Sequence, residues 1–400
     1  MDRDREPVRD RDQDYHALLQ VLDKRVVTIG GGTGPFALLS TLKRYPCAIT
    51  AIVTMADSGG SSRRLMDEFG QLPFGDLRQA LVALSRKGVL WRDVFNFRFR
   101  KGNGHRSPDA SAPDVALPAA AAAGEAPDES LVQRVAEQAG VGGHSLGNLI
   151  ISALQSINDD NLLHAIADAQ ELLDTAGRVL PVTLSHATLC AELTDDRIVR
   201  GETNIDTRGE RDSSDEALPA IRRLFLEEET PACDEAIRAI RRADILVIGP
   251  GDLYTSILPN LLVHGVAEAI HASEAQKVYV CNLMTKRGET DGFRASDFVK
   301  EIHQYLGDRV DRVILHDGSF PEPLLGLYAA KCQRPVEADV EEVRRLVPEV
   351  VVDQLLAIHG DHLVRHDADR LVRAVLAPAN LGLSDLALAT QQVPVTRRRA

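Results

Sequence analysis

The stretch VVTIGGGTGPFALLSTLKRY, residues 26–45, decides the fold predicted for this chain. It begins with four residues (26–29) that are all apolar or β-branched, which is typical of a strand buried on both faces. Four glycines follow within residues 30–34, and glycine allows both a positive φ and the close approach of a ligand to the backbone. Pro35 then stands where a first helical residue would, and the helix it predicts has an apolar face made of Phe36, Leu39 and Leu42. The sequence therefore predicts a strand, a glycine turn and a helix, in that order.

A glycine turn that leads into a helix presents free backbone N–H groups and the positive end of the helix dipole, which together favour an anion. We interpret the turn as the place where the phosphate of a nucleotide or of a sugar binds. Residues 32–37 also fit the loose pattern G-x-G-x-x-A, whereas no lysine follows to make a P-loop of the GKS or GKT type. The alternative is a tight turn without a ligand.

The composition restricts the function classes. A chain of 400 residues is long enough for one or two domains, and a net charge of −13 argues against a sequence-independent nucleic-acid binder. Aromatic residues make up only 4%, which argues against base-stacking platforms. The five cysteines form no C-x-x-C pair, so we expect neither a zinc ribbon nor a disulfide framework. Since there is no apolar h-region at the N-terminus and no apolar run of membrane-spanning length, we expect a cytoplasmic protein without a membrane partner.

The pattern along the chain predicts one main domain. Residues 1–24 open with alternating charges and are expected to be a flexible charged tail. Residues 25–335 are expected to form a nucleotide-binding domain with a low-complexity insertion at 102–140, which is rich in proline and alanine. We expect residues 336–385 to be an extension of the same domain with helices and strands, and residues 386–400 to be a second tail.

A second ligand loop is expected after the predicted strand at residues 49–54. Asp57 lies at the carboxyl end of that strand, where a Rossmann-like fold places an acidic residue on a ribose, although a capping role is the alternative. Ser61 and Ser62 add hydroxyl groups, and Arg63 is placed to reach a phosphate. Asp76 is expected to N-cap the next helix; helping Asp57 to hold Mg²⁺ is its less favoured interpretation.

Residues 143–147 match G-x-S-x-G, the pattern of the serine hydrolase nucleophile elbow. That elbow requires a strand directly before it, whereas residues 131–140 have a helical or loop-like pattern, so Ser145 is not expected to be a nucleophile. An apolar stripe over residues 146–157 instead predicts a helix that starts near Ser145. His144, Ser145 and Asn148 are then candidate hydrogen-bonding residues for the ligand. A buried histidine beside a serine cap remains the alternative.

The segment ADILVIGPG, residues 243–251, repeats the logic of the opening stretch. Strands that alternate with helices predict a parallel sheet, and its carboxyl edge gathers the ligand loops. We therefore expect Gly249 and Gly251 to join the first glycine turn and to hold a diphosphate with it. Tyr254 either stacks on a base or sugar or fills the core. Asn282 follows another predicted strand, at 278–280, and is a further candidate ligand residue.

Seven segments of the chain resemble one family, the bacterial gluconeogenesis factors, which are relatives of 2-phospho-L-lactate transferase. The resemblance covers about residues 25–375, and the motifs occur in the family's order. The segments are VVTIGGGTG, VTMADSGGSSRRL, LPFGDLRQALVAL, GHSLGNLIISAL, ADILVIGPGDLYTSILPNLL, VYVCNLMTKRGETDGF and RHDADRL.

The resemblance implies a three-layer, Rossmann-like α/β fold with a mainly parallel sheet. It also implies a nucleotide or nucleotide-sugar ligand, with UDP-N-acetylglucosamine the ligand associated with gluconeogenesis factors, and a role in cell shape and wall synthesis on gluconeogenic carbon sources. Gly31, Gly32, Thr33 and Gly34 match the family's phosphate loop, and Asp57 matches its acidic residue. We also expect a homo-oligomer and no nucleic-acid partner.

The related transferases imply an alternative function, the Mg²⁺-dependent transfer of a phospholactyl group from a guanylyl carrier to a deazaflavin. Asp57 would then be both the catalytic residue and the Mg²⁺ ligand. Relatives usually have two carboxylates after this strand, whereas this chain has Ser58 at the second position, and a lone carboxylate holds Mg²⁺ less firmly. Whether the protein is an enzyme is therefore open. A nicotinamide oxidoreductase and a serine hydrolase are less favoured alternatives.

Overall fold

The computed structural model describes residues 23–56, 72–99, 143–212, 217–360 and 362–377. Its strands are β1 (Arg25–Gly30), β2 (Ala48–Val53), β3 (Arg178–Pro181), β4 (Leu189–Leu193), β5 (Ile198–Arg200), β6 (Ile221–Leu226), β7 (Ile245–Ile248), β8 (Gln276–Val280), β9 (Arg312–His316), β10 (Glu349–Asp353), β11 (Leu356–His359) and β12 (Leu363–His366).

The helices alternate with these strands along most of the chain. They are α1 (Gly34–Leu42), α2 (Gly75–Leu84), α3 (Val89–Asn96), α4 (Leu146–Ile157), α5 (Leu162–Leu173), α6 (Glu202–Asp206), α7 (Arg208–Arg211), α8 (Asp234–Arg242), α9 (Leu258–Leu261), α10 (Val266–His271), α11 (Ala295–Leu306), α12 (Glu322–Ala329), α13 (Val340–Leu346) and α14 (Ala368–Leu376). A π-helix, Leu253–Ile257, precedes α9.

The centre of the fold is a seven-stranded sheet in the order β10-β9-β8-β7-β1-β2-β3. Every pair of neighbouring strands in it is parallel. β1 lies near the middle, and Val26 pairs with Ile49 of β2 on one side and with Ile245 of β7 on the other. Because the strand is flanked on both edges and covered on both faces, its residues after Arg25 are buried, as the apolar run in the sequence predicts.

Helices cover both faces of the sheet. On one face α1 contacts β1, α2 contacts β2 and β3, and α14 packs on α1. On the other face α8 contacts β1, and α10, α11 and α13 continue the layer towards β10. The prediction of a three-layer, Rossmann-like α/β fold with a mainly parallel sheet is therefore confirmed.

Two small antiparallel units are added to this core. β4 pairs with β5 and β6 in a three-stranded sheet, and β11 and β12 form a hairpin. The chain after residue 335 also supplies the edge strand β10 and the helix α14. Within the described residues, every helix is too short or too polar to cross a membrane.

Candidate ligand-binding site

The two glycine turns lie side by side at the carboxyl edge of the sheet. β1 and β7 are parallel neighbours, so the turns that follow them emerge together. A Cβ atom added to Gly34 would lie 2.5 Å from the carbonyl oxygen of Pro250, and one added to Gly251 would lie 3.3 Å from that of Gly31. The expected meeting of the two turns is therefore present, and their backbones approach at distances that leave little room for side chains.

The first turn is also in contact with the start of α2. A Cβ atom on Gly31 would overlap the carboxylate of Asp76 and the methyl group of Thr54. The expectation that Asp76 is the N-cap is wrong, because α2 already begins at Gly75 and the N-cap position is Phe74. Asp76 lies inside the first helical turn, so its carboxylate complements the helix dipole and faces the glycine turn instead.

Arg365 of the β11–β12 hairpin brings a positive charge to the same turn. Its guanidinium donates a hydrogen bond to the Thr33 hydroxyl over 3.4 Å. Thr33 precedes α1, so Arg365 and the start of α1 present positive charge to the same place. The segment RHDADRL belongs to the resemblance, but 332 positions separate the two residues and no local pattern indicated their contact.

His366, the residue after Arg365, fixes the hairpin over the sheet. Its Nε2 lies 3.0 Å from the carbonyl oxygen of Cys281, directly after β8. Since a carbonyl oxygen only accepts, Nε2 carries the hydrogen. Burial lowers the pKa of His366 to about 4, so the ring is neutral near pH 7. The hairpin is held at a second point, where the backbone N–H of Val364 donates to the Tyr328 hydroxyl over 2.9 Å.

Asn282, which follows the neighbouring strand β8, stabilises the second glycine turn. Its side-chain Nδ2 donates to the carbonyl oxygen of Gly251 over 2.8 Å. The structure thus places Asn282 at the expected edge, in contact with the turn. Among the described residues its Oδ1 has no hydrogen-bond partner although that atom is buried. A buried amide oxygen of this kind is suited to accept a hydrogen bond from a ligand or a water molecule.

Tyr254 lies in the core, so its interpretation as a residue that stacks on the ligand is wrong for this structure. The residue is only 1% exposed, and its ring packs edge-on against Phe293 with centroids 6.5 Å apart. Burial and the neighbouring Glu301 carboxyl raise the pKa of its hydroxyl well above the usual range. Ser256, in the same π-helix, lies against the first turn instead: its Oγ would be 3.1 Å from a Cβ atom on Gly32.

The motif at residues 143–147 packs behind the site. His144, Ser145 and Asn148 are all buried. Ser145 caps α4, with its Oγ accepting the N–H of Asn148 over 3.2 Å, so the predicted helix start is confirmed. The Oδ1 of Asn148 accepts from Arg78 over 3.1 Å, and Arg78 belongs to α2, the helix that also bears Asp76. The motif therefore contacts the helix behind the first turn, which agrees with the structural alternative.

A charged cluster lies directly beside the second turn. The Lys286 ammonium is 2.9 Å from the carboxylate of Asp252, which follows Gly251, and 2.9 Å from that of Glu289. It also pairs with Asp206 at the end of α6. Burial raises the pKa of Glu289 to about 8. Burial acts to lower the pKa of Lys286, but the surrounding carboxylates outweigh it and hold that pKa well above its ordinary value. Lys286, Glu289 and Asp252 belong to segments that carry the family resemblance, but no pattern in the sequence indicated that they converge.

The described residues do not fit a Mg²⁺ site. Among them, no three His, Cys, Asp or Glu side chains are arranged to hold a metal ion. The three carboxylates that do converge are directed at the Lys286 ammonium, which occupies the position a cation would take. The residues expected in the second loop, Asp57, Ser61, Ser62 and Arg63, lie outside the described residues, so their roles as catalytic, metal or ligand residues stay predictions.

The fold and this arrangement of turns define the class, a Rossmann-like α/β protein with ligand loops at the carboxyl edge of a parallel sheet. The sequence matches the family model described as 2-phospho-L-lactate transferase CofD over residues 26–356. It is 38% identical to the gluconeogenesis factor of Bacillus subtilis (strain 168) over 349 residues, which cover 87% of this chain and 95% of that protein. It is also 38% identical to the gluconeogenesis factor of Halalkalibacterium halodurans over 355 residues, 88% of this chain and 96% of that protein. The chain therefore belongs to the gluconeogenesis factor family, within the wider CofD family.

A solved structure supports the same assignment. Protein BH3568 from Bacillus halodurans, known from an X-ray crystal structure, superposes with a TM-score of 0.74 at 37% sequence identity. The match covers 89% of this chain and 100% of that one. The resemblance expected from the motifs is thereby confirmed, and so is the fold.

Proposed function

We propose that this protein is a gluconeogenesis factor that binds a nucleotide sugar, such as UDP-N-acetylglucosamine, at the junction of its two glycine turns. The observation that supports the proposal is the approach of Gly34 to Pro250 next to the Arg365–Thr33 hydrogen bond. Backbone N–H groups, the start of α1 and one guanidinium surround the same position. This combination suits the charge and shape of a diphosphate.

Calorimetric titration with UDP-N-acetylglucosamine tests the proposal. We expect saturable binding by the wild type, and binding about tenfold or more weaker for Arg365→Ala, because a charge-assisted contact to phosphate is lost. Arg345→Ala is the matched control, since Arg345 is an exposed arginine on α13 whose ion-pair partner among the described residues is Glu342. The absence of binding heat with any UDP-sugar would remove the proposal.

As a gluconeogenesis factor, the protein would act in the cytoplasm as a regulator of cell shape and wall synthesis. The names of the relatives support the link to gluconeogenesis. We expect a strain that lacks the protein to lose its normal shape on a gluconeogenic carbon source and to keep it on glucose. Complementation with the Arg365→Ala variant would fail if ligand binding is required for that role.

The description of the family model favours a second candidate function, a phospholactyl transferase that acts on a nucleoside diphosphate carrier. The same glycine turns would then position the carrier's phosphates. In this case Asp57→Asn should abolish Mg²⁺-dependent product formation. A variant with undiminished turnover, or a wild type that binds the nucleotide without turnover, argues against the transferase.

A further inference from the structure

The Lys286 cluster lies outside the set of residues that the motifs predict for the ligand, yet it is joined to the second glycine turn. The loop after β8 contacts that turn at two points. Asn282 donates to the carbonyl oxygen of Gly251, and the Lys286 ammonium binds the carboxylate of the next residue, Asp252. Any change in the position of Lys286 is therefore transmitted to the backbone that meets the first turn at Gly31.

The cluster is buried at one end and open at the other. The Glu289 side chain is 1% exposed, that of Lys286 is 20% exposed, and those of Asp206 and Asp252 are 35% and 47% exposed. The two aspartates therefore form the solvent-facing rim, with the ammonium behind them. A ligand at the glycine junction would meet these carboxylates at the side of the second turn.

Two carboxylates next to a diphosphate site would repel the ligand unless a cation compensates their charge. Proteins often supply that cation as a divalent metal ion held by carboxylate oxygens. Here one ammonium group contacts three carboxylates, at 2.9 Å for both Asp252 and Glu289 and within pairing distance for Asp206. An ammonium is a compact point charge with three donors. Here it donates hydrogen bonds to Asp206 and Asp252 and pairs with Glu289 by charge alone, because neither carboxyl oxygen of Glu289 has a hydrogen-bond partner among the described residues.

We propose that Lys286 is the built-in cation of the second glycine turn: it takes the position of a divalent ion between Asp206, Asp252 and Glu289 and so allows an anionic ligand to bind beside these carboxylates. The inference deepens the proposed function and rests on it for the ligand. Lys286 is here a positioning residue, because it acts on the ligand through Asp252 and the turn.

Removal of the ammonium should convert the cluster into a metal site. Among the described residues of the wild type, no three carboxylates are arranged to hold a metal ion. In Lys286→Ala, however, the three carboxylates around Lys286 lose their counter-charge, and the space left by the side chain is available to a hydrated ion. We expect this variant to bind one Mn²⁺ per chain more than the wild type, as measured by paramagnetic resonance. Its melting temperature should rise with Mg²⁺ concentration by more than that of the wild type, since an ion that binds only the folded state stabilises it.

The ligand provides the second readout. In the presence of a chelator, Lys286→Ala should bind UDP-N-acetylglucosamine about tenfold or more weakly than the wild type, and Mg²⁺ should restore most of the loss. Rescue by a metal ion is an effect that a merely structural lysine would not produce. Lys286→Arg keeps the charge and should acquire no Mn²⁺ site.

Two further variants keep the test decisive. If Lys286→Ala does not fold, the double variant Lys286→Ala with Glu289→Gln replaces the buried, unpartnered Glu289 carboxyl group by a neutral amide and keeps three oxygen ligands. Lys277→Ala is the matched control, because Lys277 is a buried lysine at the amino end of β8, whereas the site lies at the carboxyl ends of the strands. The proposal fails if the lysine-free variants bind no additional Mn²⁺, or if Mg²⁺ does not restore their ligand affinity. Failure of the wild type to bind any UDP-sugar, with the Mn²⁺ result intact, would instead refute the proposed function.

Discussion

Gly34, the first residue of α1, lies against the carbonyl group of Pro250. A Cβ atom added to Gly34 would be 2.5 Å from the carbonyl oxygen of Pro250 and 2.8 Å from its carbonyl carbon. Both neighbours are backbone atoms, which cannot rotate away as the end of a side chain can. The contact joins the turn after β1 to the turn after β7, two segments that lie far apart in the sequence. The requirement for glycine at position 34 is therefore set by a tertiary contact of the candidate site.

Gly34→Ala should force the two turns apart. We expect it to lower the free energy of unfolding by about 1–3 kcal/mol, the usual cost of overpacking. It should also abolish detectable binding of a UDP-sugar, because the backbone N–H groups no longer converge. Urea denaturation and calorimetric titration measure the two effects.

Gly326→Ala is the control for the Gly34 variant. Gly326 lies within α12, and a Cβ atom there would meet no atom within 4 Å. Alanine should stabilise this helix by up to about 1 kcal/mol and leave ligand binding unchanged, because alanine has the higher helix propensity. If Gly34→Ala behaves like Gly326→Ala, the close approach of the turns is not required for binding.

The sequence predicted the sheet and the meeting of the turns because both follow from local pattern and one topological rule. Apolar runs at residues 26–29 and 245–248 define buried parallel strands, and parallel strands bring the loops that follow them to one edge. The start of α4 at Ser145 was predictable for a similar reason, since a serine cap precedes an apolar helical stripe.

The remaining parts of the site depend on contacts between distant segments, which one sequence does not reveal. Arg365 reaches Thr33 only because the β11–β12 hairpin folds back over the sheet and His366 fixes it at Cys281. Tyr254 enters the core because a π-helix follows the second turn, which changes the direction of its side chain relative to an α-helix. The Lys286 cluster combines the end of α6 with the loops that follow β7 and β8.

Glu289 should make the stability of the protein depend on pH between its unfolded pKa of 4.5 and its folded pKa of about 8. Its pKa is raised from 4.5 to about 8, first by burial and then by the nearby Asp252 and Asp206 carboxylates, while Lys286 and Arg208 oppose the shift. The folded chain therefore keeps a proton that the unfolded chain releases. This stabilisation is complete below the unfolded pKa and is lost as pH rises through about 8.

Glu289→Gln is the variant that tests this dependence. Relative to the variant, the wild type should lose unfolding free energy as pH rises from about 5 to about 8, by up to about 1.4 kcal/mol per pH unit for one proton. The variant should lose less over the same range, because glutamine does not titrate. Denaturant titrations at several pH values give both slopes, and parallel slopes for the two proteins would contradict the assignment.

His366 should have the opposite effect on the acid side. Burial lowers its pKa from 6.5 to about 4, so between these values the unfolded chain binds a proton that the folded chain does not. Stability should therefore fall as pH decreases through this window. His366→Gln, which still donates to the Cys281 carbonyl oxygen, should reduce the fall. Thermal melts at about pH 7 and about pH 4.5 compare the two proteins. An equal fall in melting temperature for both would show that other groups dominate the loss of stability at low pH.

Arg312 should be among the most destabilising positions in the last part of the chain. The side chain is fully buried, and its guanidinium donates to the carbonyl oxygens of Ala374, Val375 and Ala377, which end α14, at 2.7–3.5 Å. It also pairs with the Glu349 carboxylate at 2.9 Å. It therefore satisfies the end of the helix that packs on α1 and complements its dipole.

Arg312→Met keeps most of the side-chain volume and removes every one of these interactions. Because three buried carbonyl groups lose their donor and one carboxylate loses its ion-pair partner, we expect the free energy of unfolding to fall by about 3 kcal/mol or more. Glu349→Gln is the matched comparison: its side chain is 28% exposed, and Arg312 would keep its carbonyl partners, so its cost should stay below about 1 kcal/mol. Denaturant midpoints measure the difference. Equal midpoints for Arg312→Met and the wild type would mean that α14 is held by its apolar contacts with α1 alone.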